Sequence, residues 1–337
     1  MRLLLTGSTG FVGRNLLLEI LKRKSYETIY LPIRSEKKLK EQLKGEGIVE
    51  LPRELHLLSM EAPDWDFSSL SGVEHVVHSA GVLFGNSLQD YSKTNTEGTL
   101  RLMHTLSAPE KVVILSSQAA SGPCGSGQDC KTENDEDRPI TWYGTSKLEM
   151  ESKLASEFPQ KNFICLRPPM ILGPRDSATL PLFKMARALV QFKPGFNQKQ
   201  YSFVAVQDLV QAILKVLSHS TELQKLKQRK FFVASEKVIT DTELIQTATE
   251  VMRKKGRLVK IPQPVIWGIS QVIGSIPALS KAVPNLSKDR SKEIWPDRWV
   301  VSPKQFEDQF GWKATIDLKT SLKATLDWYV KEGQLSL

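Results

Sequence analysis

The chain has 337 residues, 40% hydrophobic and 25% charged, a balance that supplies a sizeable core and excludes wholesale disorder. A formal net charge of +9 favours anionic ligands such as phosphorylated cofactors, while the lack of a basic tail or of any recognised motif argues against nucleic acid as a partner. Three cysteines (Cys124, Cys130 and Cys165) are too few for a disulfide framework and lack the spacing of a zinc site, so reduced thiols and no metal are expected.

Strand-length apolar runs predict strands at 2–6, 28–33, 54–58, 74–79, 111–116 and 162–167. Helical patterns fall between several of them, at 11–24, 92–107 and 144–157. Strands alternating with helices predict an α/β fold: a doubly wound parallel sheet with helices on both faces and ligands at the carboxyl ends of the strands. Residues 122–138 are polar and acidic and read as a loop. Beyond residue 170 the rhythm changes, with helices expected at 179–192, 207–218, 241–254, 303–310 and 318–331 and a short strand near 231–234. This divides the chain into a dinucleotide-binding domain at 1–170 and a smaller, mostly helical substrate-binding or lid region at 171–337, with about 200–235 returning to the first. The apolar, proline-punctuated stretch 261–284 reads first as a lid packed on the sheet domain and second as a wall for an apolar substrate. Peripheral membrane contact there is the less favoured reading. Trp295, Trp299, Trp312 and Trp328 read as packing residues. The apolar run at 3–5 is too short for a signal peptide and no stretch reaches the length of a membrane span, so a cytoplasmic location is expected.

The first strand runs into Thr6-Gly7-Ser8-Thr9-Gly10-Phe11-Val12-Gly13, with a helix to follow. Glycines at 7, 10 and 13 suit a tight turn, close approach of a pyrophosphate and close helix–strand packing, with the phosphate at the positive end of the helix. Thr9, Phe11 and Val12 belong to the same turn and join the cofactor-binding set. The second strand ends in Arg34-Ser35, with Lys37 and Lys38 beyond. A guanidinium there suits the 2′-phosphate of NADP, where an acidic residue would suit NAD.

Tyr143 and Lys147 stand four residues apart, on one face of the helix predicted there. Free tyrosine titrates at about 10, and a nearby cation stabilises the phenolate, so the pair predicts an acid–base tyrosine with a lowered pKa. Upstream, the apolar strand 111–116 ends in Ser116 and Ser117, placing hydroxyls at the same sheet edge as the glycine turn.

With these pieces in hand, the chain resembles the extended short-chain dehydrogenase/reductase family over nearly its whole length. The matching segments are 6–13, His78-Ser79-Ala80-Gly81, Asn95-Thr96-Glu97-Gly98-Thr99, Ser116-Ser117, Tyr143 with Lys147, and Arg167-Pro168-Pro169-Met170 to Pro174. Val206-Gln207-Asp208-Leu209 and Gly311-Trp312-Lys313 complete the set. The resemblance implies a Rossmann-type NADP-binding fold with Tyr143 as acid–base, Lys147 on the nicotinamide ribose and Ser117 on the substrate oxygen. It also implies that Ser79, Ala80, Gly81, Asn95 and Pro168 line the cofactor cleft, that Leu83, Gln118 and Met170 face the substrate, and that a homodimer can form. An acidic residue near the adenine is usual in the family, whereas this chain has Leu58-Ser59-Met60-Glu61.

Departures from the pattern narrow the reaction. Gln118 and Ala119 stand where dehydratases of the family carry an acidic pair, and Pro169 and Met170 occupy the region where nucleotide-sugar enzymes often place asparagine. The forms around Ser117 and Arg167 resemble the dihydroflavonol reductase and 3β-hydroxysteroid dehydrogenase branch. The leading expectation is therefore hydride transfer between NADP(H) and a carbonyl or secondary alcohol of an apolar small molecule. A nucleotide-sugar 4-epimerase comes second, and the basic residues Lys184, Arg187, Lys193 and Lys199 could grip its diphosphate. A non-catalytic dinucleotide-binding regulator comes third.

Overall fold

The computed structural model describes residues 1–60, 64–262, 264, 265, 268 and 289–336. In chain order the strands are β1 (Arg2–Thr6), β2 (Thr28–Ile33), β3 (Leu55–Ser59), β4 (His75–His78), β5 (Lys111–Leu115), β6 (Phe163–Arg167) and β7 (Met170–Leu172). They continue as β8 (Val190–Pro194), β9 (Gln200–Tyr201), β10 (Phe203–Ala205), β11 (Lys230–Phe232), β12 (Ile239–Thr240), β13 (Arg257–Ile261) and β14 (Arg298–Trp299). The helices are α1 (Phe11–Arg23), α2 (Glu36–Gly45), α3 (Leu88–Ser92), α4 (Gly98–Thr105), α5 (Trp142–Glu157) and α6 (Leu180–Ala186). After these come α7 (Val206–Leu217), α8 (Asp241–Val251), α9 (Lys304–Phe310) and α10 (Leu318–Lys331).

The doubly wound parallel sheet expected from the alternating pattern is what the chain forms, with strand order β11-β6-β5-β4-β1-β2-β3. Successive side chains of a strand point to opposite faces, and the core divides accordingly. Leu3 and Leu5 pack with α1, α2 and α7 on one face, while Leu4 packs with α4 and α5 on the other. The order reverses between β1 and β4, and this is where a ligand crevice opens outside the carboxyl ends of a doubly wound sheet.

Three expectations need correction. The helix predicted over 179–192 ends at Ala186, and Val190–Pro194 is a strand paired with Arg257–Ile261. Within it Val190 and Phe192 are exposed while Gln191 and Lys193 are buried, which is the period of two of a strand. The C-terminal part is also less helical than predicted, since β7 pairs with β10, and β9 joins β12 and β14 in small sheets. Strands of two or three residues are too short to show a periodicity. Finally, the single helix predicted at 92–107 is α3, a π-helical turn at Lys93–Glu97 and α4. Most of the stretch 261–284 lies outside the described residues, as does Glu61.

Candidate active site

At the head of β1, Gly7 adopts φ +73° and has no room for a side chain: a Cβ would lie 2.6 Å from the backbone nitrogen of Ala80. A Cβ on Gly13 would come within 2.1 Å of the Gly7 carbonyl oxygen. These approaches press the turn against the end of β4, where Ser79 Oγ donates to the Thr6 carbonyl at 2.7 Å. Helix α1 starts at Gly10 with no side-chain cap and no acidic residue in its first turn. Its amino end is left to an anion, as a dinucleotide pyrophosphate requires, and the residues present fit that group. Gln42 of α2 donates to the Thr9 carbonyl at 3.1 Å, joining the turn to the segment that follows β2. That segment carries Arg34 and Lys38, both exposed, and Ser35, whose hydroxyl caps α2 by accepting from the Lys38 amide.

The second group of residues gathers where β5 and α5 meet. Thr141 caps α5 by accepting from the Gly144 amide, and a Cβ on Gly144 would stand 2.3 Å from the Ala119 carbonyl oxygen. The missing side chain lets α5 lie against the turn at Gln118–Ala120, with Tyr143 buried close to Ser117. Ser117 Oγ also accepts from the Ala119 amide at 3.1 Å. One turn along α5, the Lys147 ammonium donates to the Leu115 carbonyl at 2.9 Å and lies 3.4 Å from where a Cβ on Gly81 would be. Asn95, held in the π-helical turn, accepts from the Val82 amide and donates to Ser146, so it braces the loop after β4 against α5. π-Helical turns frequently sit at functional sites.

The charges differ from the expectation. Burial pushes the Tyr143 phenol above its ordinary value, with the nearby Ser117 and the Arg290 cation opposing it. The Lys147 ammonium is turned to the Leu115 carbonyl. The opposing cation comes from far along the chain: the Arg290 guanidinium lies 5.2 Å over the Tyr143 ring. The segment that carries it is clamped to α5, with Thr141 donating to Glu293 at 2.9 Å and the Trp142 amide donating to Asp289 at 2.9 Å. Sequence reading gives no sign of these contacts. Gly144 stood inside the Tyr143–Lys147 motif, but only the Ala119 approach reveals its use.

Burial also lowers Lys147 to about 8 from an ordinary value near 10.5. Between those two values the unfolded chain holds this proton and the folded chain does not, so the contribution of Lys147 to stability rises with pH across the window. The thermal midpoint of the wild type should therefore gain on that of Lys147→Met as pH climbs from about 7 to about 9.5. A gap between the two that ignored pH would contradict the buried ammonium.

Other candidates fall in mixed places. Gln118 is buried beside Ser117, its amide donating to the Pro168 carbonyl at 3.0 Å, while its Nε2 has no hydrogen-bond partner among the described residues. Leu83 is half exposed, and Met170 packs on the core of the C-terminal part. Of the basic cluster, Lys184 and Arg187 are exposed. Lys193 is buried against Asp241 at 2.6 Å, and Lys199 is buried with its ammonium on the Ile294 carbonyl. Two motif pieces are structural: Asp208 accepts from the Thr315 and Ile316 amides, tying α7 to the segment after Gly311-Trp312-Lys313.

A family model described as the NAD dependent epimerase/dehydratase family matches residues 3–230. The chain is 24% identical to a ceramide reductase of Caulobacter vibrioides over 98% of this chain and 95% of that protein. It is 26% identical to a decarboxylating sterol-4-alpha-carboxylate 3-dehydrogenase of Candida albicans over 78% of each. Among solved structures, a UDP-glucuronic acid 4-epimerase from Bacillus cereus in complex with UDP-glucuronic acid and NAD superposes with a TM-score of 0.78. That likeness, at 15% identity over 99% of this chain and 100% of the other, is one of fold.

Proposed function

The chain belongs to the NAD-dependent epimerase/dehydratase family, and on that premise we propose that it is an NADP(H)-dependent oxidoreductase acting on a carbonyl or secondary alcohol of an apolar small molecule. The observation that carries this reading is that Ser117, Tyr143 and Lys147 gather where β5 and α5 meet, with Tyr143 and Lys147 buried, and that Gln118 and Ala119 stand in place of a carboxylate pair. Without that pair, water has no acid and base to remove it, and proton exchange at one oxygen remains. The names of the ceramide reductase and the sterol dehydrogenase support an apolar substrate.

In this reading the turn of Gly7, Thr9, Gly10, Phe11, Val12 and Gly13 holds the pyrophosphate through backbone amides. Ser79, Ala80, Gly81, Asn95 and Pro168 wall the cleft. A bound nicotinamide dinucleotide supplies or accepts the hydride. Ser117 donates to the substrate oxygen and Tyr143 passes a proton to it in reduction, or takes one from it in oxidation. Lys147, freed from the Leu115 carbonyl, holds the ribose and adds a positive field near the phenol. The unpartnered Nε2 of Gln118 is a donor available to a polar group of the substrate. Leu83 and Met170 supply apolar wall. The test is a panel of apolar ketones, aldehydes and alcohols followed by nicotinamide absorbance, beside thermal shifts with UDP-glucose. Turnover of apolar compounds is expected. Large, saturable stabilisation by the sugar nucleotide without such turnover would replace this reading with 4-epimerisation.

Arg34, Ser35 and Lys38 carry the proposed preference for NADP. Arg34→Glu would set like charge against a 2′-phosphate and remove a forked donor, so NADPH should lose roughly a hundredfold in affinity while NADH changes little, an electrostatic difference of about 3 kcal/mol. Calorimetric titration of both cofactors measures this, and equal losses would end the assignment.

A further inference from the structure

Two stretches of the chain contain no acidic residue, 177–207 and 251–288, and together they hold eleven basic residues against a surplus of nine for the whole chain. The rest of the chain is therefore slightly acidic. The fold pairs one segment of each, since β8 and β13 run in parallel with Val190 opposite Arg257 and Phe192 opposite Val259.

This ribbon has its polarity reversed. Its inner face is polar and anchored: Gln191 Nε2 donates to Thr249 Oγ1 at 2.8 Å and Lys193 pairs with Asp241, both on α8. Its outer face is apolar, with Phe192 49% and Val259 38% exposed. Leu189 and Phe196, at the two ends of β8, are 82% and 63% exposed. Around this face stand Arg187 ahead of β8 and Arg253, Lys254, Lys255, Arg257 and Lys260 about β13, all exposed. Contiguous exposed apolar side chains mark a contact surface. A fringe of cations around them, with no carboxylate in either stretch to neutralise it, complements an anionic layer lying over hydrocarbon.

We propose that the β8–β13 ribbon docks on the surface of a bilayer rich in anionic phospholipid. Leu189, Phe192 and Phe196 enter the headgroup boundary while the arginines and lysines meet lipid phosphates. The contact is peripheral, for among the described residues no helix is long and apolar enough to cross a membrane. The docking face also connects to the candidate active site. Lys199, just beyond β8, donates to the Ile294 carbonyl and lies 5.3 Å over the Trp295 ring, in the segment whose Arg290 covers Tyr143. Delivery of substrate from the bilayer rests on the apolar-substrate reading above, whereas docking itself rests on the ribbon alone.

The test is sedimentation of the full chain with vesicles of equal parts phosphatidylglycerol and phosphatidylcholine, beside vesicles of phosphatidylcholine only. Binding should be roughly tenfold or more stronger on the anionic vesicles and should weaken as salt screens the cations. It should be lost in Leu189→Glu/Phe192→Glu and, separately, in Lys254→Glu/Lys255→Glu, with NADPH binding retained as the sign of an intact fold. Should the apolar variant fail to fold, the charge variant and the salt series decide. Equal binding to both vesicles, or full binding by the folded variants, overturns the proposal. So does a failure to bind vesicles together with a self-association that Leu189→Glu/Phe192→Glu abolishes, which would make the ribbon an interface between copies of the chain. No substrate enters this measurement, so its failure leaves the catalytic reading standing, and failure of the substrate panel leaves docking standing.

Discussion

Tyr143→Phe is expected to reduce turnover by about three orders of magnitude, within the range for loss of a positioned acid–base group, while leaving fold and dinucleotide binding nearly unchanged. The ring keeps its neighbours: Tyr91 at 6.1 Å between centroids and the Arg290 guanidinium at 5.2 Å over its face. Neither contact uses the hydroxyl. Ser117 keeps its Ala119 amide donor, so the turn that presents it has a reason to stay in place. What disappears is the group proposed to exchange a proton with the substrate oxygen. Burial pushes the phenol above its ordinary value, which favours the protonated form that donates in the reducing direction. The measurement is single-turnover rate with an identified substrate, beside NADPH affinity. Rates near those of the wild type would mean that another residue supplies the proton.

The parts of this site legible in the sequence are those in which geometry is local. A glycine turn between a strand and a helix constrains itself within a few residues, and the collisions awaiting a Cβ at Gly7 and Gly13 are the physical content of that pattern. The spacing of Tyr143 and Lys147 likewise needs only the pitch of α5. Other features depend on contacts between distant segments. The approach of Gly144 to the Ala119 carbonyl, the hydrogen bond of Lys147 to Leu115 and the arrival of Arg290 over Tyr143 leave no periodic trace. The same limit hid the β8–β13 ribbon: its short strands carry Lys193 on the buried face and Phe192 on the exposed one, against the polarity that a surface strand is assumed to have. The stretch 122–138 reads as a polar, acidic loop from its composition, yet Lys131 and Glu133 are buried within it.

That loop leads to the second large effect, which falls on stability. Arg167 at the end of β6 is fully buried, and its guanidinium is shared between two carboxylates. Its Nε donates to Glu151 at 2.9 Å, and its two terminal nitrogens donate to Asp137 at 2.7 and 2.8 Å. Lys230 of β11 adds a further contact to Asp137 at 2.9 Å. The cluster thus joins β6, β11, the loop after β5 and the middle of α5, the helix that carries Tyr143 and Lys147. Arg167→Met should destabilise the fold by about 3–5 kcal/mol, the usual cost of stranding a buried charge, because Glu151 loses its partner away from water. Asp137 retains Lys230, so the larger share of the penalty belongs to Glu151. Adding Glu151→Leu to Arg167→Met should therefore recover much of the loss, since well-packed apolar side chains can replace a buried ion pair at little cost. Denaturant unfolding of the wild type, the single variant and the double variant measures all three. A single variant as stable as the wild type would show that the cluster is not structural, and a double variant worse than the single would place the penalty on Asp137 or on packing instead.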